Sequence, residues 1–245
     1  AAPSDSTPPT VVSINRANST PTNASSVSWN VTFSESVTGV DATDFALVPT
    51  GVAGASIIGV SGSGSAYLVT ASTGSGSGTL GLNLVDNDTI VDLAGNKLGG
   101  TGLVNGDFTG QVYTIDKTPP SAPTVNLPFF IGATSAGSIG VFVGGEIAAQ
   151  VNLVISDTNS ITADVTVMGT ILSTGTFSNT VNLSTLVDGT ITATATLTDA
   201  AGNTSAPGSG TATKDTVAPT VTKTVTDADI DNALESSSIA LAATD

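Results

Sequence analysis

A short proline-containing motif occurs three times in this sequence, at intervals close to the size of a small domain. Asp5-Ser-Thr-Pro-Pro-Thr10 returns as Asp116-Lys-Thr-Pro-Pro-Ser121 and, more loosely, as Asp215-Thr-Val-Ala-Pro-Thr220. Proline fixes its own φ and biases the preceding residue toward extended geometry, so each copy suits a short, stiff connection. We therefore interpret the copies as module boundaries: residues 1–7 end a preceding module or linker, 8–116 and 117–215 form two modules, and 216–245 begin an incomplete third.

A second motif lies upstream of the next boundary in each of the two longer modules. Asp92-Leu-Ala-Gly-Asn96 and Asp199-Ala-Ala-Gly-Asn203 share four of five residues. Glycine and asparagine tolerate positive φ, so each segment predicts a tight loop between two late strands. An apolar strand pattern that ends in a carboxylate also recurs, at Glu35, Asp157 and Asp245.

Between these motifs, apolar residues alternate with polar ones, which is the pattern of strands with one buried face. Turn signals such as Ser61–Gly64 and Asp188–Gly189 separate the strands, and no window shows a 3.6-residue apolar period. The sequence therefore predicts an all-β chain of antiparallel sandwiches, with Trp29 in a core rather than on a sugar-stacking surface. The alternating series are Val27, Trp29, Val31 and Phe33; Leu80, Leu82 and Leu84; Ala149, Val151, Leu153 and Ile155; Ile161, Ala163, Val165 and Val167; and Ile191, Ala193, Ala195 and Leu197.

The charge balance and the absent residue types exclude several classes of function. The 245 residues carry 5 Lys plus Arg against 20 Asp plus Glu, a formal net charge of -15, which argues against nucleic-acid or anionic-lipid partners. The sequence has no His and no Cys, which removes thiol nucleophiles, imidazole-based triads and His- or Cys-ligated metals. No apolar run approaches the roughly 18 residues that a bilayer span needs, so we expect no membrane insertion in this segment.

Several of these motifs together resemble the tandem immunoglobulin-like repeats of large bacterial surface adhesins and biofilm-associated proteins. The resemblance rests on Thr32–Val40, Asp44-Phe45, Gly59–Ser65, Asp92–Asn96 and Tyr113–Pro120. It implies tandem immunoglobulin-like β-sandwich modules in an elongated array, an extracellular or cell-surface location, and calcium ions at the module junctions. The partners it implies are neighbouring modules of the same or an adjacent chain; it does not identify a host or matrix ligand.

The topology of such a sandwich predicts where the acidic residues lie. The first strand begins at one pole of the module, and the loops that follow the second and sixth strands return to the same pole, so their carboxylates should converge. Oxygen ligands on loops suit a hard cation such as Ca²⁺, whereas the alternative is that the same residues are solvated turns and caps. The predicted ligands are Asp116, Asp157, Asp199 and Asn203 at the first junction, Asp5, Glu35, Asp92 and Asn96 in the first module, and Asp215 and Asp245 in the third.

Two further acidic runs are weaker candidates for an ion site. Asp227–Ser238 begins like an EF-hand loop, but its sixth and twelfth positions are Asn232 and Ser238 instead of Gly and Glu. Asp86, Asp88 and Asp92 form another cluster, which is also ordinary for a loop.

The sequence favours a non-catalytic role, and three hypotheses remain. The first is a structural, adhesive stalk of a bacterial surface or secreted adhesin, stiffened by Ca²⁺ at its junctions. The second is a subunit of a self-assembling extracellular filament, in which another chain completes the third module by strand exchange. The third is a carbohydrate-binding or glycoside-hydrolysing module, since a carboxylate pair needs no His or Cys, although turn-borne acids and few aromatic residues disfavour it.

Overall fold

A computed structural model describes residues 5–222 and 242–244 of the chain. Contacts group these residues into two compact units, and the first takes in the described residues up to Ser121 together with Leu197–Ala206. The second unit takes in Ala122–Thr196 and the described residues from Pro207 onward. A single 3-10 turn, Ala42–Asp44, interrupts the strands, and the described chain contains no helix long and apolar enough to cross a membrane. The all-β prediction is confirmed.

The first unit is a β-sandwich of two antiparallel sheets. One sheet has the order β1-β2-β4, with β6 also pairing with β2, and the other has the order β3-β5-β7. Their strands are β1 (Val11–Arg16), β2 (Ser26–Thr38), β3 (Phe45–Thr50), β4 (Ser56–Ser72), β5 (Gly78–Leu84), β6 (Val91–Asp92) and β7 (Phe108–Ile115).

The core of the first unit lies between these sheets, as the alternating series predict. Val27, Trp29, Val31 and Phe33 of β2 are each at most 2% exposed, and they share one hydrophobic cluster with the leucines of β5. Trp29 packs edge-on against Tyr113 of β7, with ring centroids 5.0 Å apart, and its Nε1–H donates to the Gln111 carbonyl at 2.8 Å. This pair joins the two sheets and uses the only polar atom of the indole, which confirms Trp29 as a core residue.

The predicted turn at Ser61–Gly64 is wrong, because β4 runs through it. Gly62 and Gly64 have φ of 130° and 64°, and the pairing of β2 with β4 shifts its register between Thr32 and Val37. A Cβ at Gly62 would lie 2.4 Å from the Ala66 carbonyl oxygen. The two glycines therefore form a bulge inside one long strand, and a bulge uses the same left-handed residues as a turn.

The second unit contains two sheets with most of their strands antiparallel. One has the order β13-β10-β8 and the other β12-β11-β14-β15-β9, in which β9 pairs with β15 in parallel. Their strands are β8 (Thr124–Asn126), β9 (Phe130–Gly132), β10 (Ile139–Gly144), β11 (Gln150–Ser156), β12 (Val165–Thr170), β13 (Thr176–Val181), β14 (Gly189–Thr198) and β15 (Gly208–Asp215). Two short strands, β16 (Thr220–Thr222) and β17 (Ala242–Thr244), pair with each other.

In the second unit, the alternating apolar residues of β11 and β14 are buried. The predicted series from Ile161 to Val167 begins too early, because its first two members precede the strand. Ile161 is 91% exposed and precedes β12, which starts only at Val165. The Asp157 carboxylate accepts the Asn159 N–H at 2.7 Å, and the Asn159 side chain accepts the Ile161 N–H at 3.1 Å. These consecutive Asx turns occupy backbone donors that a strand would need, so the alternation of Ile161 and Ala163 does not become strand.

Candidate metal centre

The loop Asp92–Asn96 is built around one carboxylate. Asp92 Oδ1 accepts the backbone N–H groups of Ala94 and Asn96, both at 2.8 Å, and Oδ2 accepts Asn96 Nδ2 at 2.7 Å. Gly95 has φ of 90°, and its N–H reaches the Asp92 carbonyl. Burial acts to raise the pKa of Asp92, but the hydrogen bonds from Asn96, Ala94 and Gly95 outweigh it and lower that pKa. The carboxylate is therefore held ionised and fixed in direction.

The loop Asp199–Asn203 repeats this arrangement bond for bond. Asp199 Oδ1 accepts the N–H groups of Ala201 and Asn203 at 2.9 and 2.8 Å, and Oδ2 accepts Asn203 Nδ2 at 2.8 Å. Gly202 has φ of 93°. Burial again acts to raise the pKa of Asp199, and the bonds from Asn203, Ala201 and Gly202 again lower it. The five-residue motif therefore specifies one local structure at both places.

Each loop also ties its asparagine to the aspartate of a proline motif. Asn96 Nδ2 donates to the Asp5 carbonyl at 3.2 Å, and Asn203 Nδ2 donates to the Asp116 carbonyl at 2.9 Å, the latter within the first unit. The two recurring sequence motifs are thus bonded to each other in both copies.

Asp5, Glu35 and Asp92 come together at one end of the first unit. Each offers a carboxylate oxygen, and these oxygens lie within 4.8 Å of one another. Asp5 is exposed, Glu35 is half-buried between Phe33 and Val37 in the inward-facing series of β2, and Asp92 is buried. They line an open depression with Ser36, Leu93 and Ala94, and no aromatic side chain lies among these lining residues. We call Asp5, Glu35 and Asp92 the carboxylate trio.

Repulsion within the trio perturbs Glu35. Burial raises the pKa of Glu35, and the negative charges of Asp5 and Asp92 raise it further. In the described part of the chain, ion pairs join Lys97 to Asp88 and Lys214 to Asp188, and none reaches the trio. Three converging oxygens without a basic partner are the ligand chemistry that a hard divalent cation prefers.

The remaining predicted ligands are divided between the units. Asp116 belongs to the first unit, where its Oδ1 accepts the Thr118 N–H at 3.0 Å. Asp157 belongs to the second unit, where its Oδ2 accepts the Val187 N–H at 2.7 Å. The bond from the Val187 N–H lowers the pKa of Asp157. Burial acts to raise this pKa, whereas the hydrogen bonds from Asn159 and Thr162 and the charge of Lys214 lower it further. A shared site of Asp116, Asp157, Asp199 and Asn203 stays a prediction.

The third-module ligands and the weaker acidic runs have different outcomes. Asp215 Oδ1 accepts the Val217 N–H at 3.0 Å, as a turn residue does, whereas Asp245 lies outside the described residues. The EF-hand-like run 227–238 also lies outside them. Asp86 accepts N–H groups from Asp88 and Gly106, and Asp88 pairs with Lys97 at 3.1 Å, so these two belong to a loop network.

The sequence reasoning missed a buried ion pair in the second unit. Lys214 of β15 is 3% exposed, and its Nζ donates to Asp188 Oδ1 and to the Leu186 carbonyl, both at 2.8 Å. The bonds from Lys214 and Thr216 lower the pKa of Asp188 to about 2. The signal was present in the strand period, because Ala212 and Lys214 share the inward face, and a lysine at a buried position requires a partner.

Fold and loops together define a class of protein, an all-β chain of sandwich units with a repeated carboxylate loop. No protein-family model matches the chain, and no curated protein sequence matches it. Solved structures similar to it include a tetra-tandem repeat from the extending region of a large adhesion protein, at 18% identity and TM-score 0.39, covering 89% of this chain and 52% of that one. This chain therefore spans about half the length of that structure.

Two other similar structures are modular as well. One comes from a 1.5-MDa bacterial ice-binding adhesin, at 17% identity and TM-score 0.38, covering 92% of this chain and 71% of that one. Another holds fibronectin(III)-like modules of CbhA from Clostridium thermocellum, at 12% identity and TM-score 0.30, covering 85% of this chain and 94% of that one. Two of the three are parts of large adhesins, the class that the sequence motifs resemble. At TM-scores below 0.5 these likenesses assign no role to any residue.

Proposed function

We propose that this chain is a non-catalytic length of stalk from a large bacterial surface or secreted adhesin. The observation that carries the proposal is the repeated loop, which is built from the same bonds at Asp92–Asn96 and Asp199–Asn203 and is tied in each copy to the aspartate of a proline motif. Serial modules joined in the same way are what an extended spacer needs. The high negative charge keeps such modules soluble outside a cell.

Calcium binding at the carboxylate trio is the finer part of this proposal. The trio supplies oxygens from the linker, from β2 and from the loop, so a bound ion would hold the linker against the module that follows it. Glu35 is the member whose carboxylate accepts no hydrogen bond in the described structure, and its raised pKa reflects burial and repulsion that a cation would offset.

Substituting Glu35→Gln tests the calcium site, because its expected effect on the melting temperature differs between a buffer with chelator and a buffer with calcium. In chelator, the variant should melt at the same temperature as the wild type or slightly higher, because one repelling charge is removed. When the free Ca²⁺ concentration is about 100 times the Kd of the site, binding at one site raises the free energy of unfolding by about 2.7 kcal/mol. This gain should be lost in the variant. Fluorescence of the single tryptophan, Trp29, reports melting of the first unit in both buffers.

Glu146→Gln is the matched control for this experiment. Glu146 is exposed in the second unit and lies outside the carboxylate trio, so its variant should keep the full calcium-dependent shift. An equal shift in the Glu35→Gln variant would show that calcium, if bound, does not use the trio. Absence of any shift in the wild type would remove the calcium site while leaving the stalk role to be judged separately.

A filament subunit completed by strand exchange is the second candidate function. The strands β16 and β17 pair only with each other among the described residues, and an isolated pair of strands is marginally stable in water. Strand exchange would produce assemblies whose size grows with concentration. Light scattering after size exclusion should therefore show a concentration-independent monomer for a stalk and higher species for a filament.

A glycoside-hydrolysing role is the remaining alternative. The depression at the carboxylate trio is open and lacks the aromatic lining that sugar sites use. Release of reducing ends from a panel of polysaccharides is the measurement that would support it.

A further inference from the structure

The two copies of the repeated loop have the same internal bonds but differ in what covers them. Ala201 and Asn203 are 9% and 8% exposed, whereas their counterparts Ala94 and Asn96 are exposed and half-buried. Because the internal bonds match, this difference comes from the surroundings of each loop.

The cover on the second copy is the segment around Asn23, within the first unit. The Asn23 N–H donates to the Ala201 carbonyl at 3.1 Å. A Cβ placed on Gly202 would lie 3.5 Å from Asn23 Nδ2, so the backbone at that glycine faces the asparagine side chain. In the first copy, a Cβ on Gly95 would meet nothing within 4 Å. The Ala201 carbonyl thus accepts from Asn23, whereas no described N–H donates to the Ala94 carbonyl; Gly202 itself is exposed, as Gly95 is.

We propose that the exposed surface Leu93–Gly95 is a docking site for a module of the first unit's own kind, joined ahead of Asp5 through the proline motif. Such a module would present its Asn23 N–H to the Ala94 carbonyl and cover Ala94, as Asn23 does at Ala201. Asp5 already occupies the position that Asp116 has in the covered copy, since each aspartate carbonyl accepts from the loop asparagine. This inference rests on the proposed stalk function and specifies its module-to-module contact.

The side chain of Leu93 supports an occupant at this surface. Leu93 is 82% exposed and lies beside Ala94 in the open depression. Any burial of this leucine removes apolar area from water and adds to a contact that is otherwise one backbone hydrogen bond and the packing at Ala94; its counterpart Ala200 is exposed in the covered copy.

A tandem protein tests the proposal, with residues 1–115 placed directly ahead of residue 5 of the full chain. In the chain as it exists, Ala94→Arg should leave the melting temperature unchanged or raise it slightly, because Ala94 is exposed and the arginine would lie beside the carboxylate trio. In the tandem protein, the same substitution in the following copy should lower the melting temperature of the added copy by about 4–8 °C, because the arginine occupies the docking surface. Ala201→Arg should lower melting in both proteins and serves as the positive control.

Calorimetry in chelator separates this proposal from the calcium site, because the docking contact needs no ion. Equal effects of Ala94→Arg in the single and tandem proteins would overturn the proposal. An added copy that stays unfolded by circular dichroism would overturn it as well. Under the proposal, the loop Asp92–Asn96 of the following copy supplies to the added copy the contacts that Leu197–Ala206 supplies to the first unit.

Discussion

Replacing Trp29 by alanine should lower the free energy of unfolding of the first unit by about 3–5 kcal/mol, as truncating a large buried aromatic residue usually does. Trp29 is fully buried, joins β2 to Tyr113 of the opposite sheet, and uses its indole N–H in a 2.8 Å bond to Gln111. The substitution removes the contact between sheets and leaves the Gln111 carbonyl without this donor. Urea unfolding followed by circular dichroism measures the loss.

Two variants bracket the effect of Trp29. Trp29→Phe keeps a buried ring but removes the hydrogen bond, so its free energy of unfolding should lie between those of the wild type and the alanine variant. Ile58→Ala, at a position on β4 that is 59% exposed, should change the free energy of unfolding by no more than about 0.5 kcal/mol. A Trp29→Ala protein as stable as the Ile58→Ala protein would contradict the packing described here.

Substituting Asp188→Asn should destabilise the second unit more than Lys214→Met does. The asparagine variant leaves the charge of Lys214 buried without its ion-pair partner, whereas methionine removes that charge and keeps an apolar chain of similar length. Differential scanning calorimetry should give the highest melting temperature for the wild type, a lower one for Lys214→Met and the lowest for Asp188→Asn. Asp164→Asn, an exposed position in the same unit, is the control with the same chemical change.

The same pair gives the second unit a defined acid sensitivity. The pKa of Asp188 is lowered to about 2 in the folded chain, whereas an unperturbed aspartate titrates at about 3.9. Because the folded pKa is the lower one, the stabilisation is complete above about pH 4 and is lost as the pH falls toward 2. The Asp188→Asn variant should lose less stability over that interval than the wild type, and an equal loss in both would exclude Asp188 as the cause.

The strands and loops were largely predictable because their signals are local. The alternation around Trp29 and that of β14 specify buried faces, since one strand residue in two points to the core. The motif at Asp92 and Asp199 specifies its own loop, because the hydrogen bonds that define it join residues at most four apart. Where two local structures use the same residues, prediction failed: Gly62 and Gly64 formed a bulge instead of a turn.

The candidate site shows how far such reasoning extends. The topology of a sandwich predicted that Glu35 would lie near Asp5 and Asp92, and the structure brings their oxygens within 4.8 Å. Glu35 lies within β2, however, and not in the loop that follows it. Calcium binding there stays a prediction, as do the module boundaries after residues 116 and 215. The pair of Lys214 and Asp188 was missed because their positions, 26 residues apart, become neighbours only when β15 pairs with the start of β14, which Asp188 precedes.

The sequence alone determined that this chain is all-β, that its strands alternate, and that one loop structure occurs twice. The folded structure was needed to show that Ala201 of one loop is buried against the Asn23 segment whereas Ala94 of the other is exposed, although their motifs are nearly identical. The physical reason is that hydrogen bonds within a loop depend on neighbouring residues, whereas burial depends on which distant segment packs against it. That difference is what identifies Leu93–Gly95 as a surface available to another module.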